Sequence, residues 1–149
     1  MKKIHIAIMR KSWGLTQKIL TGEKTIETRW YMNRHKPWGV INQGDTVYFK
    51  DSGEPVRLKA TVSKVVQFKN LTPQKVATIL KYYAQADGLE VDKKDIKPYF
   101  EMFKNKRYCL LVFLKDPQAV EPFEIDKSGF GAMAAWITVD RINLIRKKP

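Results

Sequence analysis

The sequence has few of the residues on which disulfide frameworks, metal sites and histidine-dependent catalysis rely. Its 149 residues include one cysteine, Cys109, and two histidines, His5 and His35. One cysteine excludes an internal disulfide framework and fits a reducing cytoplasm, and its place in the apolar run RYCLLVFLK predicts a small core residue. The three side chains match no recognised zinc spacing, and neither histidine stands in a known catalytic order with a serine or cysteine. The sequence therefore predicts no metal site and gives only weak support to a serine or cysteine hydrolase.

Glycine-rich cofactor motifs and long apolar runs are also missing. The chain contains neither GxxxxGK[ST] nor GxGxxG, so we expect no nucleotide-triphosphate or dinucleotide cofactor. No stretch reaches the roughly 18 apolar residues of a membrane-spanning helix. The N-terminal segment MKKIHIAIMRKSW lacks the apolar core and the small-residue cleavage site of a signal peptide. These absences predict a cytoplasmic protein that is not integral to a membrane.

Acidic residues are scarce relative to basic ones. The 28 lysines and arginines outnumber the 15 acidic residues and leave a net charge of +13. A charge of this sign and size favours polyanionic partners, nucleic acid first and acidic membrane surfaces second. Charge alone also allows a soluble basic protein without such a partner. The length and the apolar fraction of 44% predict one globular domain, residues 1–149, with a core of its own.

Periodicity predicts about six short strands and three helices. Ile4, Ile6 and Ile8 alternate with smaller or polar residues, as in a half-buried strand. Ser12 stands where it is able to cap a helix over about 13–21, which Gly22 would end. Further strands are predicted over about 24–31, in INQGDTVYFK, over 57–68 with a bulge or strand end near Lys64, in RYCLLVFL and in AAWITVDRINLI.

The two other predicted helices lie in the middle of the sequence. The first has Thr72 as its N-cap and is expected to stop at Asp87-Gly88, and the second covers about 94–104. Their apolar residues recur at helical spacing, so we expect their aromatic side chains in the core. Strands at both ends with helices inserted between them indicate an α+β, mainly β fold. We predict a small antiparallel PUA-like β-barrel with a short helix before the second strand and two inserted helices.

The stretch GEKTIETRW, residues 22–30, concentrates charged side chains directly after the first predicted helix. On a regular strand Glu27 and Arg29 point to the same face, while Lys24 joins them only from the turn that follows Gly22. Such a group is able to bind a phosphate through its cations and a base edge through its carboxylate. It is also suited to acid–base chemistry if burial shifts the pKa of Lys24 or Glu27. An exposed, salt-bridged strand face is the third interpretation, and spacing alone favours it.

The segment KILTGEKTIETR, followed by GDTVYF and ATVSKVVQF, resembles the ASCH domain, a member of the PUA-like superfamily. That family carries a G-x-K-x-x-E-x-R box after its first helix and then a Gly-Asp turn that opens the next strand. The resemblance is close over about residues 11–68 and looser over the remaining strands. The box and the turn are filled here, in order, by Gly22, Lys24, Glu27, Arg29 and Gly44-Asp45.

The resemblance implies a small barrel with a cleft beside the first helix, lined by the box and used for RNA or modified nucleosides. PUA-like domains generally bind RNA. A bacterial branch of the family is an amidohydrolase that acts on acetylated cytidine with a lysine, a threonine three residues later and a distant glutamate. Lys24 matches that lysine, whereas Glu27 holds the position of the threonine. This substitution removes the hydroxyl that the deacetylase chemistry uses.

Aromatic side chains are interleaved with basic ones in the first 40 residues, a pattern typical of proteins that bind single-stranded nucleic acid. The sequence therefore predicts an RNA- or nucleotide-binding domain with a basic, aromatic-lined cleft around the box. Packing in the core is the alternative for Trp30 and Trp38, and it is the expectation for Trp136. The residues predicted to bind nucleic acid or nucleotide are Lys11, Trp13, Lys24, Glu27, Arg29, Trp30, Arg34, Trp38 and, on a loop between two glycines, Phe130.

Two other functions are compatible with the same residues. One is a metal-independent hydrolase that acts on modified nucleosides, such as acetylcytidine, or on RNA, with Lys24 and Glu27 as the catalytic acid–base pair. The other is an adaptor for an acidic protein, which would leave the box exposed and the cleft shallow. A binding module is favoured over a hydrolase, and whether the domain is an enzyme is left open.

Overall fold

A computed structural model describes residues 2–89 and 96–148. None of the described helices has the length and apolar character needed to cross a membrane. Short 3-10 turns lie at Lys11–Trp13 and Ile142–Leu144. The strands and α-helices follow one another as β1 (Ile4–Met9), α1 (Leu15–Thr21), β2 (Ile26–Tyr31), β3 (Thr46–Asp51), β4 (Val56–Phe68), α2 (Pro73–Tyr83), α3 (Lys97–Phe103), β5 (Tyr108–Phe123) and β6 (Trp136–Val139).

The six strands form one half-barrel sheet in the order β2–β5–β4–β3–β1–β6. All neighbouring strands are antiparallel except β1 and β3, which run parallel because α1 and β2 intervene between them in the chain. The predicted α+β, mainly β fold is confirmed, with a short helix before the second strand and two helices inserted between β4 and β5. The single parallel pair makes the sheet mixed rather than wholly antiparallel.

The first helix begins later than the sequence predicts. Ser12 lies within the 3-10 turn and caps nothing, because Gly14 at φ 63° separates that turn from α1. Gly22 ends α1 as expected, and its φ of 85° is a left-handed conformation that glycine adopts without strain. The chain therefore leaves α1 sharply and enters β2 four residues later, which places Lys24 in the turn between them.

The later elements also differ in length from their predicted bounds. Thr72 caps α2 by accepting a hydrogen bond from the Lys75 amide, but α2 ends at Tyr83, before the predicted Asp87-Gly88. The predicted helix over 94–104 is observed as α3, and residues 94 and 95 lie outside the described residues. β5 is twice as long as the apolar run that predicted it, since its second half is an exposed segment paired only with β4. The predicted irregularity near Lys64 is a register shift against β5.

The sheet separates the buried side chains into groups. Leu15 and Ile19 of α1 pack inside the curve of the sheet against residues such as Phe49. α2 and α3 cover the outer face of β2 and β5, where Cys109 is fully buried as predicted. In the turn between α1 and β2, Gly22, Glu23 and Thr25 are exposed, whereas Lys24 is buried.

We expect Gly88→Ala to destabilise the fold more than Gly53→Ala. Both glycines have a positive φ, 78° and 80°, so each substitution should cost about 1 kcal/mol for the left-handed backbone. A methyl group at Gly53 meets nothing within 4 Å, whereas one at Gly88 lies 3.0 Å from Cβ of Lys24 and 3.4 Å from Cδ2 of Leu15. Overpacking should add roughly another 1 kcal/mol or more at Gly88. Equal losses in denaturant unfolding would contradict the close packing of this turn on Lys24.

Candidate functional site

The side chain of Lys24 is buried between β2 and the turn that follows α2. Its Nζ donates to the carbonyl oxygens of Ile26 and Asp87, both at 2.6 Å, and contacts the Asp87 carboxylate and, at 3.1 Å, Oε1 of Glu27. Only 1% of the residue is exposed. An ammonium group has three protons, so these acceptors use its entire donor capacity. Lys24 is therefore a fixed internal cation that holds two carboxylates in place.

Glu27 connects this buried cation to Arg29. Oε2 of Glu27 accepts from Nε of Arg29 at 3.0 Å and from Nη2 at 2.8 Å, a two-point contact that fixes the plane of the guanidinium. Burial alone would raise the pKa of Glu27, but the charges of Lys24 and Arg29 hold that pKa below its usual range. Since only 3% of Glu27 is exposed, the predicted exposed strand face is wrong for both Glu27 and Lys24.

Arg29 spans the gap between the two edges of the sheet. Its guanidinium donates to the carbonyl oxygen of Ala135 at 3.3 Å and lies 3.5 Å from that of Ile8, while its Cζ is 5.0 Å from the ring centroid of Trp136. These contacts join β2 to the opposite edge formed by β1 and β6. The side chain stays 15% exposed, so Arg29 presents a fixed positive charge to solvent.

Asp87 is a second buried carboxyl, and the sequence reasoning assigned it only the end of a helix. Burial raises its pKa to about 6 against the opposing charge of Lys24, and the nearby charge of Glu27 raises it further. Thr28 donates to Asp87 through its hydroxyl, at 2.5 Å from Oδ2, and through its amide, at 3.2 Å from Oδ1. The sequence gives little sign that Asp87 pairs with Lys24, because the two residues are 63 positions apart. An Asp-Gly pair by itself indicates only a turn.

A chain of buried polar contacts ties the Gly-Asp turn to Arg29. Asp45 accepts from the amides of Lys3 and Asn42, both at 3.0 Å, and lies 2.8 Å from Nε2 of His5. The indole Nε1 of Trp136, which only donates, is 3.1 Å from Nδ1 of His5. His5 therefore carries its proton on Nε2, and burial lowers its pKa although Asp45 opposes this shift. The relay holds the Trp136 ring in place under Arg29.

Glu27, Arg29 and Asp87 line a cavity of about 380 Å³, a size in the range of small-molecule sites. Trp13, Trp30 and Phe103 supply aromatic side chains to its lining, Thr28 supplies a hydroxyl, and the other lining residues are charged or apolar. Trp30 stacks on Phe103 with ring centroids 4.9 Å apart, so one face of its indole is already covered. The charged lining residues are Arg10, Glu27, Arg29, Asp87 and Lys106.

The predicted binding residues do not all meet at this cavity. Trp13, Glu27, Arg29 and Trp30 line it, and Lys24 lies directly behind it. The other four lie elsewhere: Lys11 pairs with Glu54 at 2.6 Å, Arg34 and Trp38 pack on the ring of Tyr108, and Phe130 is in the loop before β6. Trp136 is buried as expected.

Two buried donors lack a hydrogen-bond partner within the described residues, Nε1 of Trp30 and the hydroxyl of Tyr31. Burial raises the pKa of Tyr31 to about 12, so this hydroxyl keeps its proton. No group of His, Cys, Asp and Glu in residues 2–89 and 96–148 is arranged to hold a metal ion.

The chain is similar in fold to solved structures of ASCH proteins. The chain is similar to the crystal structure of ASCH from Zymomonas mobilis, with a TM-score of 0.67 and 16% identity over 95% of this chain and 90% of that one. Two single-substitution mutants of the same protein give TM-scores of 0.67 and 0.65 at 15% identity, over 97% and 93% of this chain and 97% and 91% of theirs. No protein-family model matches the chain, and no curated protein is similar to it in sequence. The protein thus has the ASCH fold, and the resemblance predicted from the box and the turn is confirmed.

We expect the stability of the wild type to fall relative to Asp87→Asn as pH rises from 5 to 7.5. The pKa of Asp87 is about 6 in the folded protein, above the unfolded value, so its protonation stabilises the fold fully below about pH 4 and no longer does so once the pH passes 6. The relative loss should be about 1 kcal/mol across this range. Denaturant unfolding at several pH values measures it.

The control for this experiment is Asp140→Asn, which removes an exposed carboxyl paired with Lys3. Its unfolding free energy should follow that of the wild type across the same pH range, and contributions from His5 cancel in the comparison. A wild type that gains stability relative to Asp87→Asn with rising pH would show that the Asp87 carboxyl is ionised at low pH by Lys24.

Proposed function

We propose that the cavity binds a nucleotide, either free or as part of RNA. The observation that supports this most strongly is the side chain of Arg29, a cation held in one orientation by Glu27 and presented beside aromatic walls. A fixed guanidinium matches the two-point geometry of a phosphate, and aromatic surface suits the flat face of a base. Arg10 and Lys106 add positive charge to the lining, in keeping with the net charge of +13.

Within this proposal each box residue has a distinct role. Arg29 contacts phosphate, and Trp13 offers ring surface to a base because it lines the cavity and is only half-buried, beside Arg10 and the edge of Tyr99. Glu27 orients Arg29 and accepts a base edge through its remaining lone pairs. Lys24 does not contact phosphate directly, as its protons are already used, and instead positions Glu27. The proposal thus assigns to Lys24 a positioning role.

A hydrolase is the second candidate, and the contact between Asp87 and Thr28 supports it. A carboxyl with a pKa near 6 changes its protonation state near neutral pH, as a general acid or base requires, and it is hydrogen-bonded to a hydroxyl that lines the cavity. The pair Lys24 and Glu27 suits this role less well, since both side chains are already fixed by ion pairs. Asp87 and Thr28 are thus the acid–base residues that this candidate requires.

The cellular location of the protein and the bounds of its domain stay predictions. A buried single cysteine, whose thiol pKa is raised by burial, fits a cytoplasmic protein. Residues 1–149 are proposed to act as one domain. RNA is the partner favoured by charge, and a free nucleotide is the alternative.

Binding of the four nucleoside 5′-monophosphates should depend on Arg29 and Trp13. We expect Arg29→Gln to weaken binding by about 1–3 kcal/mol, as for a lost charge-assisted hydrogen bond. Trp13→Ala should cost a similar 1–3 kcal/mol if a base stacks there. Isothermal titration calorimetry measures both, with circular dichroism to verify folding. Lys115→Gln, at an exposed residue of β5, is the control and should leave affinity unchanged. The proposal would be contradicted if the wild type binds neither RNA nor any of the four nucleoside 5′-monophosphates.

The hydrolase candidate makes a separate prediction about turnover. If the protein hydrolyses acetylcytidine or RNA, Asp87→Asn should lower kcat by about 100-fold or more while ligand still binds. Thr28→Val removes the hydroxyl with little change of volume and should have a similar effect. Release of acetate and cleavage of labelled RNA are the measurements. A wild type that binds nucleotides without either product would leave binding as the function.

A further inference from the structure

Acidic residues are absent from three long stretches of the sequence. Residues 28–44, 55–86 and 102–115 contain no aspartate or glutamate, although the whole chain has 15 of them. A solvated surface of ordinary composition mixes both signs of charge. Stretches without acidic residues are important for binding only if the fold brings them together.

The fold does bring parts of all three stretches to one place, the end of the sheet where β2 finishes and β5 starts. The Arg107 amide donates to the carbonyl oxygen of Tyr31 at 2.9 Å, and the Leu71 amide donates to the carbonyl oxygen of Arg107 at 3.0 Å. Gln67 accepts from the Gly39 amide at 2.8 Å. Segments 31–39, 67–71 and 104–108 are therefore neighbours.

This end of the sheet carries an exposed cluster of positive charge. Lys104 is not counted in it, because it pairs with Glu101 at 2.6 Å. Arg34 lies with Cζ 5.5 Å from the ring centroid of Tyr108, and Trp38 contacts the same ring edge-on. We call this surface the basic end and define it by its exposed cationic side chains, which are Arg34, Lys69 and Arg107.

The basic end is continuous with the proposed nucleotide cavity. Lys106 lines the cavity, and the next residue, Arg107, belongs to the basic end. On the other strand, Arg29 and Trp30 line the cavity, and the chain continues through Tyr31 to Arg34. Positive charge thus extends from the cavity across the strand ends without an acidic side chain in those segments. A ligand that fills the cavity and carries further negative charges would lie along this surface.

We propose that the ligand is a single-stranded polynucleotide, with one nucleotide in the cavity and the phosphates of its neighbours on the basic end. This inference rests on the proposed function of the cavity and specifies its substrate class. A base enters such a cavity only when it is unpaired, which favours a single strand over a duplex. Several cations beside the aromatic rings of Trp38 and Tyr108 suit a flexible backbone with regularly spaced phosphates.

The test compares a labelled RNA octamer of mixed sequence with the four nucleoside 5′-monophosphates. We expect the octamer to bind at least about tenfold more tightly than any monophosphate, because it contacts additional phosphates. Arg34→Gln/Arg107→Gln should remove most of this gain and lower the log–log salt slope by about 1.4, or about 0.7 for each phosphate contact. The same variant should bind monophosphates as the wild type does.

A matched double variant controls for the loss of charge. Lys81→Gln/Lys115→Gln also removes two exposed charges, on the last turn of α2 and on the outer part of β5, and should leave octamer affinity and salt slope unchanged. Fluorescence anisotropy gives the octamer affinities, and competition with the labelled octamer gives those of the monophosphates.

Four results would overturn the inference. If monophosphates bind and the octamer binds no more tightly, or if both double variants weaken the octamer equally, the basic end is not a polynucleotide surface, although the cavity function stands. If polyglutamate of equal charge displaces the octamer equally well, the surface takes acidic polymers in general. If Arg29→Gln alters binding of neither probe, the cavity function fails and the inference fails with it.

Discussion

The ammonium group of Lys24 sits where water does not reach, and an unpaired cation there would cost several kcal/mol. Two parts of the chain, β2 and the turn after α2, meet to prevent this. The start of β2 supplies a backbone carbonyl, β2 itself supplies Glu27, and the turn after α2 supplies the carbonyl and the carboxylate of Asp87. The same turn is fixed further by the amides of Thr25 and Ile26, which donate to Ala86. Satisfying one charge therefore fixes the side of the cavity formed by β2 and the turn.

The orientation of Arg29 follows from constraints on both sides of it. Glu27 holds the guanidinium from β2, and Glu27 is itself held by Lys24. From the opposite edge of the sheet, Trp136 supports the guanidinium and is fixed through His5 to Asp45. The two short motifs of the sequence, the box and the Gly-Asp turn, thus act on the same arginine although they are not adjacent in the sheet. A cation restrained in this way loses little freedom when it binds an anion, which favours affinity.

Local chemistry in the sequence predicted the elements that depend on local rules, whereas features set by distant contacts were missed. Gly22 ends α1 and Thr72 caps α2 because these signals act within a few residues. The long outer half of β5 lacks apolar alternation and forms through pairing with β4 alone, so its sequence gave no strand signal. The role of Asp87 and the burial of Lys24 depend on each other across 63 residues, which periodicity does not encode. Arg34 and Trp38 were grouped with the box by proximity in sequence, but β2 carries the chain past the cavity before it reaches them.

The buried charge of Lys24 organises the site, and the unfolding free energy of Lys24→Met tests this most directly. Methionine keeps an unbranched side chain, one heavy atom shorter, but leaves the carboxylates of Glu27 and Asp87 without their cation. The expected loss is about 3–5 kcal/mol by denaturant unfolding at pH 7.5, as for a broken buried ion pair. Lys81→Met, which replaces an exposed lysine on the last turn of α2, should stay within about 0.5 kcal/mol of the wild type. The contradicting result is a free energy of unfolding for Lys24→Met within about 1 kcal/mol of that of Lys81→Met, which is what an exposed ion pair predicts.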